Sequence, residues 1–238
     1  MTIHKILKKT LELKDLCFRF AKDKPFFFKD LSIVFDSKTI NFVRGKNGAG
    51  KSTLFRLLQG NITQQEQVAG SIQISDTSYQ LETHDHIDGV RLVHQKFDSM
   101  LADQFSFDDN MRFAGIARYP KLASLPDCAP LPDFLQRFGI DHTKPVKLLS
   151  GGQRQILAIL MVLQKPTKVL LLDEPTAALD EQNTNMVMEF LAELVRTTDV
   201  IIIMICHDKE LVLRYARDGY CELRVDQDTG LRSIEKIN

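Results

Sequence analysis

The stretch "GKNGAGKS" at residues 45–52 is the starting point for the fold. It fits the pattern G-x-x-x-x-G-K-[ST] and lies between a strand pattern, "TINFVRG" (39–45), and a helix pattern, "STLFRLLQG" (52–60). The glycines let backbone N–H groups close around phosphate oxygens, Lys51 supplies positive charge, and Ser52 offers a hydroxyl to Mg²⁺. The alternative is a glycine-rich turn that matches by chance, and the flanking strand and helix argue against it. The motif therefore predicts a phosphate-binding loop.

A second stretch, "VLLLDE" (169–174), supplies the expected acidic partner. Its apolar residues predict a buried strand, whose C-terminal end lies at the edge where open α/β sheets bind ligands. We expect Asp173 to hold Mg²⁺ through water and Glu174 to take a proton from an attacking water. Two solvated acids at a strand end are the alternative, which the upstream phosphate motif makes less favourable.

Strand and helix patterns alternate through the last third of the chain. Apolar strands at 168–174 and 200–207 are separated by amphipathic helix patterns. Such alternation predicts an α/β fold around a buried, mostly parallel sheet. Period-two alternation at 11–20 and 26–35 predicts β-strands near the N-terminus.

The character of the sequence changes between residues 96 and 149. Prolines punctuate short helical patterns, among them "FDDNMRFAGIAR" (107–118) and "LPDFLQRFGI" (131–140). This composition predicts a small helical subdomain inserted into the main fold.

Composition excludes several classes of protein. The 238 residues carry 31 Lys+Arg and 31 Asp+Glu, so no broad basic face is indicated and no nucleic-acid partner is expected. The longest apolar runs are too short to cross a bilayer, and the first residues lack the apolar region of a secretory signal. The histidines of "HDH" (84–86) fit a solvated loop better than a metal site. The cysteines show no metal-binding spacing, which favours reduced thiols in a cytosol: Cys17, Cys128, Cys206 and Cys221.

A third stretch, "LLSGGQRQ" (148–155), places a serine and two glycines before an apolar helix pattern. A helix N-terminus built in this way can hold an anion, yet this stretch has no lysine to neutralise a phosphate. An ordinary N-capped helix is the alternative.

Taken together and in order, these stretches resemble the ATP-binding cassette (ABC) ATPases: "GKNGAGKST", Gln95, "LSGGQ", "LLLDEP", "AALD" and His207. The resemblance covers nearly the whole chain. It implies a P-loop ABC ATPase fold with a mostly parallel core, an N-terminal antiparallel β-subdomain and an inserted helical subdomain. We expect one ABC domain over 1–238, with the nucleotide-binding core and β-subdomain at 11–95 and 151–238. The helical subdomain is then 96–150 and ends in the signature loop.

In this family two cassettes face each other head to tail, which implies a role for the third stretch. The signature of one chain closes over the ATP held by the partner's phosphate-binding loop. It needs no lysine because the partner's Lys51 and Mg²⁺ neutralise most of the charge. The residues offered in this way to the partner's γ-phosphate are Ser150, Gly151, Gly152 and Gln153.

The resemblance also implies the nucleotide-binding set. Phe20 matches the aromatic residue that stacks on adenine, and Phe18, two residues earlier on the same face, stays open as the alternative. Lys46 stands where the family often has proline or serine, and it adds charge near the phosphates. The phosphate-binding residues are Gly45, Lys46, Asn47, Gly48, Ala49, Gly50, Lys51, Ser52 and Thr53.

Three further positions match family motifs. Gln95 resembles the glutamine that touches Mg²⁺ or the attacking water, which makes it a catalytic residue and, with Ser52 and Asp173, a metal-site residue. Asp180 resembles the aspartate that crosses the dimer interface, and an N-cap role is compatible with that. His207 resembles the histidine that contacts the γ-phosphate and joins Glu174 and Gln95 as catalytic, although a lone histidine after a buried strand is often structural.

The expected function is that of the ATP-binding and ATP-hydrolysing subunit of an ABC membrane transporter, most similar to bacterial importers. ATP and Mg²⁺ are the expected cofactors. The expected partners are a second cassette, either a second copy of this chain (a homodimer) or a similar chain, together with an integral-membrane permease and a substrate-binding protein. This implies a cytoplasmic protein held on the inner face of the membrane by the permease. The acidic stretch at 97–110 is where the family docks a permease helix, with a solvated loop as the alternative.

Two other functions stay open at this point. One is a soluble ABC ATPase of a non-transport assembly, such as iron–sulfur cluster biogenesis. The other is a nucleotide-gated interaction module that does not hydrolyse ATP. Glu174 argues against the second, because a protein that only binds nucleotide does not need that carboxylate.

Overall fold

The computed structural model of the chain describes residues 8–83, 86–116 and 131–237. The described helices are α1 (Lys51–Leu58), α2 (Phe107–Ala114), α3 (Gly151–Leu163), α4 (Glu181–Thr197) and α5 (Lys209–Tyr215). The described strands are β1 (Thr10–Arg19), β2 (Phe28–Asp36), β3 (Ile40–Gly45), β4 (Gln67–Ile74), β5 (Thr77–Gln80), β6 (Val90–Val93), β7 (Val169–Asp173), β8 (Ile201–Ile205), β9 (Tyr220–Val225) and β10 (Arg232–Ile237).

The described strands form one mixed sheet in the order β5-β4-β1-β2-β10-β9-β3-β8-β7-β6. Strands β3, β8, β7 and β6 pair in parallel, which confirms the parallel core expected from the apolar runs. Strands β1, β2, β4 and β5 pair antiparallel, as expected for the N-terminal part. The two parts share one sheet, because the hairpin β9–β10 lies between β3 and β2.

The parallel strands are buried on both faces. In β7, Leu170 and Leu172 lie in one apolar cluster, whereas Val169 and Leu171 lie in the other. Helices α3 and α4 contribute to the first cluster and α1 to the second. A strand covered on both sides must be apolar at every position, which is why "VLLL" is continuous rather than alternating.

The region at 96–150 is described in part. Its elements are α2, which is capped by Ser106, and 3₁₀ helices at Phe97–Met100, Asp133–Phe138 and Val146–Leu148. The helical pattern at 131–140 forms a 3₁₀ helix over Asp133–Phe138 rather than an α-helix. Pro132 precedes this helix, and Gly139 ends it in the left-handed conformation. The last residues of the "FDDNMRFAGIAR" pattern lie outside the described residues, as do Cys128 and most of "HDH".

The hairpin β9–β10 was not anticipated from the sequence. "YCELRV" (220–225) has alternating buried positions, and the turn that follows is closed by Asp226, whose carboxylate accepts from the Thr229 backbone N–H at 2.7 Å. Period-two alternation followed by "DQDTG" was the available signal. The hairpin matters to the site because β9 pairs directly with β3, the strand that enters the phosphate-binding loop.

Candidate functional site

Neighbouring strands of the parallel core end in the residues predicted to carry the chemistry. Strand β3 runs into the glycine-rich loop at 45–50, β8 is followed by His207, β7 by Glu174 and β6 by Gln95. Because these strands are parallel and adjacent, their carboxyl ends meet at one edge of the sheet. Segments far apart in the sequence therefore form one site.

The loop at 45–50 has the conformation that a phosphate cradle requires. Gly50 precedes α1 with φ 102°, a left-handed conformation that a residue with a side chain rarely adopts. A Cβ atom on Gly50 would lie 2.7 Å from Cε1 of Phe27. Glycine is therefore required here both by the backbone angle and by the packing.

Lys51 lies almost fully buried at the start of α1, 8% exposed. Its ammonium donates to the carbonyl oxygens of Gly45 at 2.8 Å and Lys46 at 3.2 Å. Burial lowers the pKa of Lys51, while the nearby carboxylates of Glu174 and Asp173 act in the opposite direction. The lysine is thus held inside the loop, next to the acidic strand end.

Glu174 and His207 form a direct pair. The Nε2 atom of His207 is 2.8 Å from Oε1 of Glu174. The backbone N–H of Glu174 donates to the carbonyl of Ile205 in the neighbouring strand at 3.2 Å, and its φ is 51°. A non-glycine residue in this conformation stores strain of the order of 1 kcal/mol or more, and such residues concentrate at functional sites. The two side chains predicted as catalytic are therefore brought together.

Asp173 ends β7 beside Glu174 and is partly buried. Burial and the charge of Glu174 raise the pKa of Asp173, while His94, Lys51 and His207 act to lower it. An ionised carboxylate that is destabilised by burial and by a like charge is the one that a nearby cation stabilises most. The hydroxyl of Ser52, which is exposed at the start of α1, adds another oxygen of the kind that Mg²⁺ prefers. The donor set fits a hard divalent cation.

Gln95 lies just past the end of β6 and its side chain is exposed. It precedes the 3₁₀ turn at Phe97–Met100, where the chain leaves the sheet for the helical region. Its neighbour His94 is close enough to Asp173 to influence that carboxyl group. The segment is thus placed to touch both the acidic strand end and the helical region.

A cluster of phenylalanines lies beside the phosphate-binding loop. Phe18 is fully buried, whereas Phe20 is 46% exposed, so of the two only Phe20 presents a ring to solvent. The rings of Phe20 and Phe27 pack edge to face with centroids 5.0 Å apart. The guanidinium of Arg232, on β10, lies 3.9 Å from the centroid of Phe27. Neither Phe27 nor Arg232 was recognised from the sequence.

The signature residues form the N-terminus of α3. Ser150 is the N-cap: its hydroxyl accepts from the backbone N–H of Gln153, whose side chain accepts from the N–H of Ser150. Gln153 also donates to the carbonyls of Phe138 and Gly139, each at 3.3 Å. Among the described residues, the hydrogen bonds found for Ser150–Gln153 do not reach the phosphate-binding loop.

The cap of α4 lies against this signature. Asp180 caps α4 by accepting from the backbone N–H of Asn183 at 2.8 Å, and these hydrogen bonds lower the pKa of Asp180. The Asn183 side chain in turn accepts from Ser150 Oγ at 2.7 Å. Asn183 was missed by the sequence reasoning, because an asparagine in the first turn of a polar helix carries no signal of its own.

Lys46, which departs from the family pattern, and Cys206, which precedes His207, leave this geometry intact. Cys206 is buried beside His207, and burial raises its pKa to about 11. Lys46 is exposed, and its carbonyl oxygen receives the ammonium of Lys51. The glycine loop after β3 and the ends of the three neighbouring strands have the arrangement of a P-loop nucleoside-triphosphatase site.

The comparisons with known proteins identify the family. A protein-family model described as ABC transporter matches residues 28–177. The chain belongs to this family and is an ATPase.

Curated relatives carry the names of import proteins. The phosphonates import ATP-binding protein PhnC 1 of Ruegeria sp. (strain TM1040) is 27% identical over 87% of this chain and 86% of its own length. The methionine import ATP-binding protein MetN of Ligilactobacillus salivarius (strain UCC118) is 31% identical over 87% of this chain. The chain spans only 60% of that relative's length.

Solved structures show the same fold. The protein cbiO1 from Clostridium perfringens, part of the ABC transporter complex cbiONQ, superposes with a TM-score of 0.71 at 24% identity, over 96% of this chain and 87% of that chain. The ADP conformation of MJ1267, an ATP-binding cassette of an ABC transporter, gives a TM-score of 0.70 at 17% identity, over 96% of this chain and 91% of that chain. In the part of this chain that the structure describes, no helix is long and apolar enough to span a membrane.

Proposed function

We propose that this chain is the ATP-hydrolysing subunit of an import-type ABC transporter, and that it works as a dimer of cassettes coupled to a separate permease. The convergence of the glycine loop, Glu174, His207 and Gln95 at one sheet edge is the observation that carries the proposal. The names of the import relatives support the transport role and its direction.

The nucleotide is proposed to lie across the loop at 45–50. Its triphosphate contacts the backbone of that loop, Lys51, Ser52 and Thr53, and its adenine stacks on the exposed ring of Phe20. Lys51 exchanges its present carbonyl partners for phosphate oxygens, which are charged acceptors and form the stronger hydrogen bonds. The Phe20 ring packs against the flat face of the adenine base.

Glu174 is proposed as the general base. Its carboxylate takes a proton from the attacking water, and the 2.8 Å contact with His207 fixes the direction in which the carboxylate points. When ATP is bound, the same Nε2–H of His207 is offered to the γ-phosphate, since a neutral imidazole carries one ring N–H. Gln95, exposed at the neighbouring strand end, orients the water from the other side.

Ser52, Asp173 and Gln95 are the residues proposed to hold Mg²⁺. When bound, this cation supplies positive charge that neutralises the phosphate oxygens. Burial and the charge of Glu174 raise the pKa of Asp173, which means that they disfavour its ionised form. A bound cation would favour that ionised form, so Asp173 is suited to this role.

The signature is proposed to act on a partner's nucleotide rather than on its own. Its hydrogen bonds run to α4 and to residues 138–139, away from the phosphate-binding loop of the same chain. A second cassette, facing the first head to tail, supplies the missing loop. ATP then holds the two chains together, and loss of the γ-phosphate lets them separate.

A surface for the permease is proposed on the helical region. Phe105 is 51% exposed and packs edge to face against Phe113 on α2. Met100 is also exposed, and the acids Asp98 and Asp103 lie nearby in the chain. An exposed aromatic and apolar group rimmed by charge is typical of a protein-binding surface. A substrate-binding protein completes the proposed importer, which places this chain at the cytoplasmic face of the membrane.

The proposal is tested by steady-state release of phosphate from ATP with Mg²⁺. Glu174→Gln is expected to keep nucleotide binding and to lower turnover by roughly 10²–10⁴, because the amide cannot accept the proton. The matched control is Glu189→Gln, an exposed position on α4. Turnover that survives Glu174→Gln at the control level would refute the role of the base.

The soluble-assembly alternative gains no support from the comparisons. The import relatives and the solved cassettes named above are described as transporter proteins. Co-purification from membranes with a multi-span permease is the direct test: it is expected for the transporter and not for a soluble assembly.

A further inference from the structure

The side-chain amide of Asn183 accepts hydrogen bonds from two donors of the signature, the Ser150 hydroxyl and the Gly152 backbone N–H. Its Oδ1 atom accepts from Ser150 Oγ at 2.7 Å and from the backbone N–H of Gly152 at 3.0 Å. Both donors therefore converge on one neutral oxygen, which stands at the N-terminus of α3. This is the place where a helix favours an anion.

The fit between Asn183 and the signature depends on the missing side chain of Gly152. A Cβ atom there would lie 2.8 Å from Oδ1 of Asn183 and 3.0 Å from its carbonyl oxygen. The close approach of α4 to α3 at this point is therefore built into the sequence by the second glycine of "SGG".

The orientation of the amide is fixed from its other end. The Nδ2 atom of Asn183 donates to both carboxylate oxygens of Asp180, at 3.0 and 2.9 Å. A carboxylate accepts and cannot donate, so the amide nitrogen must face Asp180 and the amide oxygen must face Ser150 and Gly152. The side chain thus links the aspartate of "AALD" to the signature through one planar group.

We propose that Asn183 is a positioning residue that holds the donors of the signature in the nucleotide-free chain and yields them to the partner's γ-phosphate when the dimer closes. This rests on the proposed function, because the incoming oxygen belongs to ATP held by a second cassette. A phosphate oxygen carries charge and forms stronger hydrogen bonds than an amide oxygen, so it displaces Asn183. ADP has no γ-phosphate and leaves the internal bonds in place.

The exchange also reaches Asp180. When Asn183 loses its hydrogen bonds to Ser150 and Gly152, the side-chain bonds that remain to it among the described residues are those to Asp180, which are free to rearrange. Binding of the partner's nucleotide at the signature therefore changes the hydrogen bonds of Asp180, the residue proposed to cross the interface.

The proposal predicts that removing the internal acceptor makes closure easier. Asn183→Ala leaves the α4 cap in place, because the backbone N–H of residue 183 still bonds Asp180. Two signatures close in a head-to-tail homodimer, so closure then no longer breaks four internal hydrogen bonds, two in each chain. From the usual net contribution of such bonds, the ATP-dependent dimer is expected to have a dissociation constant roughly 30- to 10⁴-fold lower.

The experiment measures dimerisation by sedimentation equilibrium with ATP in chains that carry Glu174→Gln, so that nucleotide is not consumed. The Asn183→Ala double variant is compared with Gln182→Ala, an exposed neighbour on the same helix turn, as the control. Asn183→Asp is the opposing variant: its carboxylate competes more strongly for the donors and repels the γ-phosphate, so a weaker dimer is expected. It also loses the donor that faces Asp180, and thermal melting reports that separate cost.

A tighter dimer for alanine together with a weaker dimer for aspartate supports the proposal. Damaged folding cannot imitate the first result, because it weakens association; thermal melting of each variant checks this. An unchanged or weaker dimer for Asn183→Ala overturns the proposal while leaving the proposed function intact. If the Glu174→Gln chain itself stays monomeric with ATP, the proposed dimer fails, and this inference fails with it.

Discussion

Arg154 is predicted to join the segment after Gln95 to the signature helix, so that the two move as one body. The guanidinium, on the first turn of α3, donates to Oδ1 of Asp98 at 2.7 Å from Nη2 and at 3.2 Å from Nε. Its Nη2 atom is also 3.1 Å from Oδ1 of Asp103. Truncation to alanine removes all these contacts at once.

The magnitude follows from the exposure of the partners. The Arg154 side chain is 19% exposed, but Asp98 and Asp103 are 64% and 47% exposed, so solvent screens both pairs. Exposed ion pairs contribute about 0.2–1 kcal/mol each, and the shared, partly buried guanidinium places this pair of contacts near the upper end. We expect Arg154→Ala to lower the free energy of unfolding by about 1–2 kcal/mol in total, which includes the lost packing of the side chain.

A double-mutant cycle isolates the ion pair. Urea unfolding of Arg154→Ala, Asp98→Ala and the double variant should give a coupling energy of about 0.5–1 kcal/mol at low salt, reduced at 1 M salt. Arg112→Ala, an exposed arginine on α2, is the control and should show no coupling to Asp98.

The functional readout separates the joint from nucleotide binding. Affinity for labelled ATP should be unchanged in Arg154→Ala, since the phosphate-binding loop is untouched. Turnover should fall several-fold, because the signature helix no longer moves together with the segment after Gln95. Additive stabilities, with turnover at the level of Arg112→Ala, would refute the reasoning.

Two further predictions concern charge. Lys51→Ala should abolish binding of a fluorescent ATP analogue, a probe that is needed because the chain has no tryptophan. The control Lys29→Ala, an exposed position on β2, should bind the analogue normally. Affinity that survives Lys51→Ala would contradict the assignment of the phosphate-binding loop. Glu66→Gln should cost about 1–3 kcal/mol of stability at pH 7, because Arg56 bonds both carboxylate oxygens, at 2.7 and 2.6 Å. Burial raises the pKa of Glu66, but the bonds from Arg56 and Thr63 outweigh it and hold the pKa below its ordinary value. The stabilisation by Glu66 is therefore present above about pH 4 and is lost as the pH falls through the folded-state pKa of this residue. Urea unfolding of the wild type and of Glu66→Gln at several pH values measures this loss. A difference in the free energy of unfolding that does not change with pH would contradict the role of the Glu66 carboxylate.

The regular elements were largely predictable because their signals are local. Apolar runs marked β7 and β8. The pattern at 131–140 indicated a helix but not its type: Pro132 and Gly139 bound the short 3₁₀ helix Asp133–Phe138. The β9–β10 hairpin was overlooked because its alternation is partly polar and its strands are exposed on one side.

The amino-acid sequence alone determined the residue types of the site and their order: glycines that permit the loop, a lysine, and acids at the end of an apolar strand. These follow from backbone freedom, charge and periodicity, which act over a few residues. Only the tertiary structure decided which groups meet. The 2.8 Å contact of His207 with Glu174 depends on adjacent strand ends, and the Ser150–Asn183 bond joins side chains 33 positions apart. Such contacts are set by how strands pair and how α3 packs on α4, and no local pattern encodes that distance.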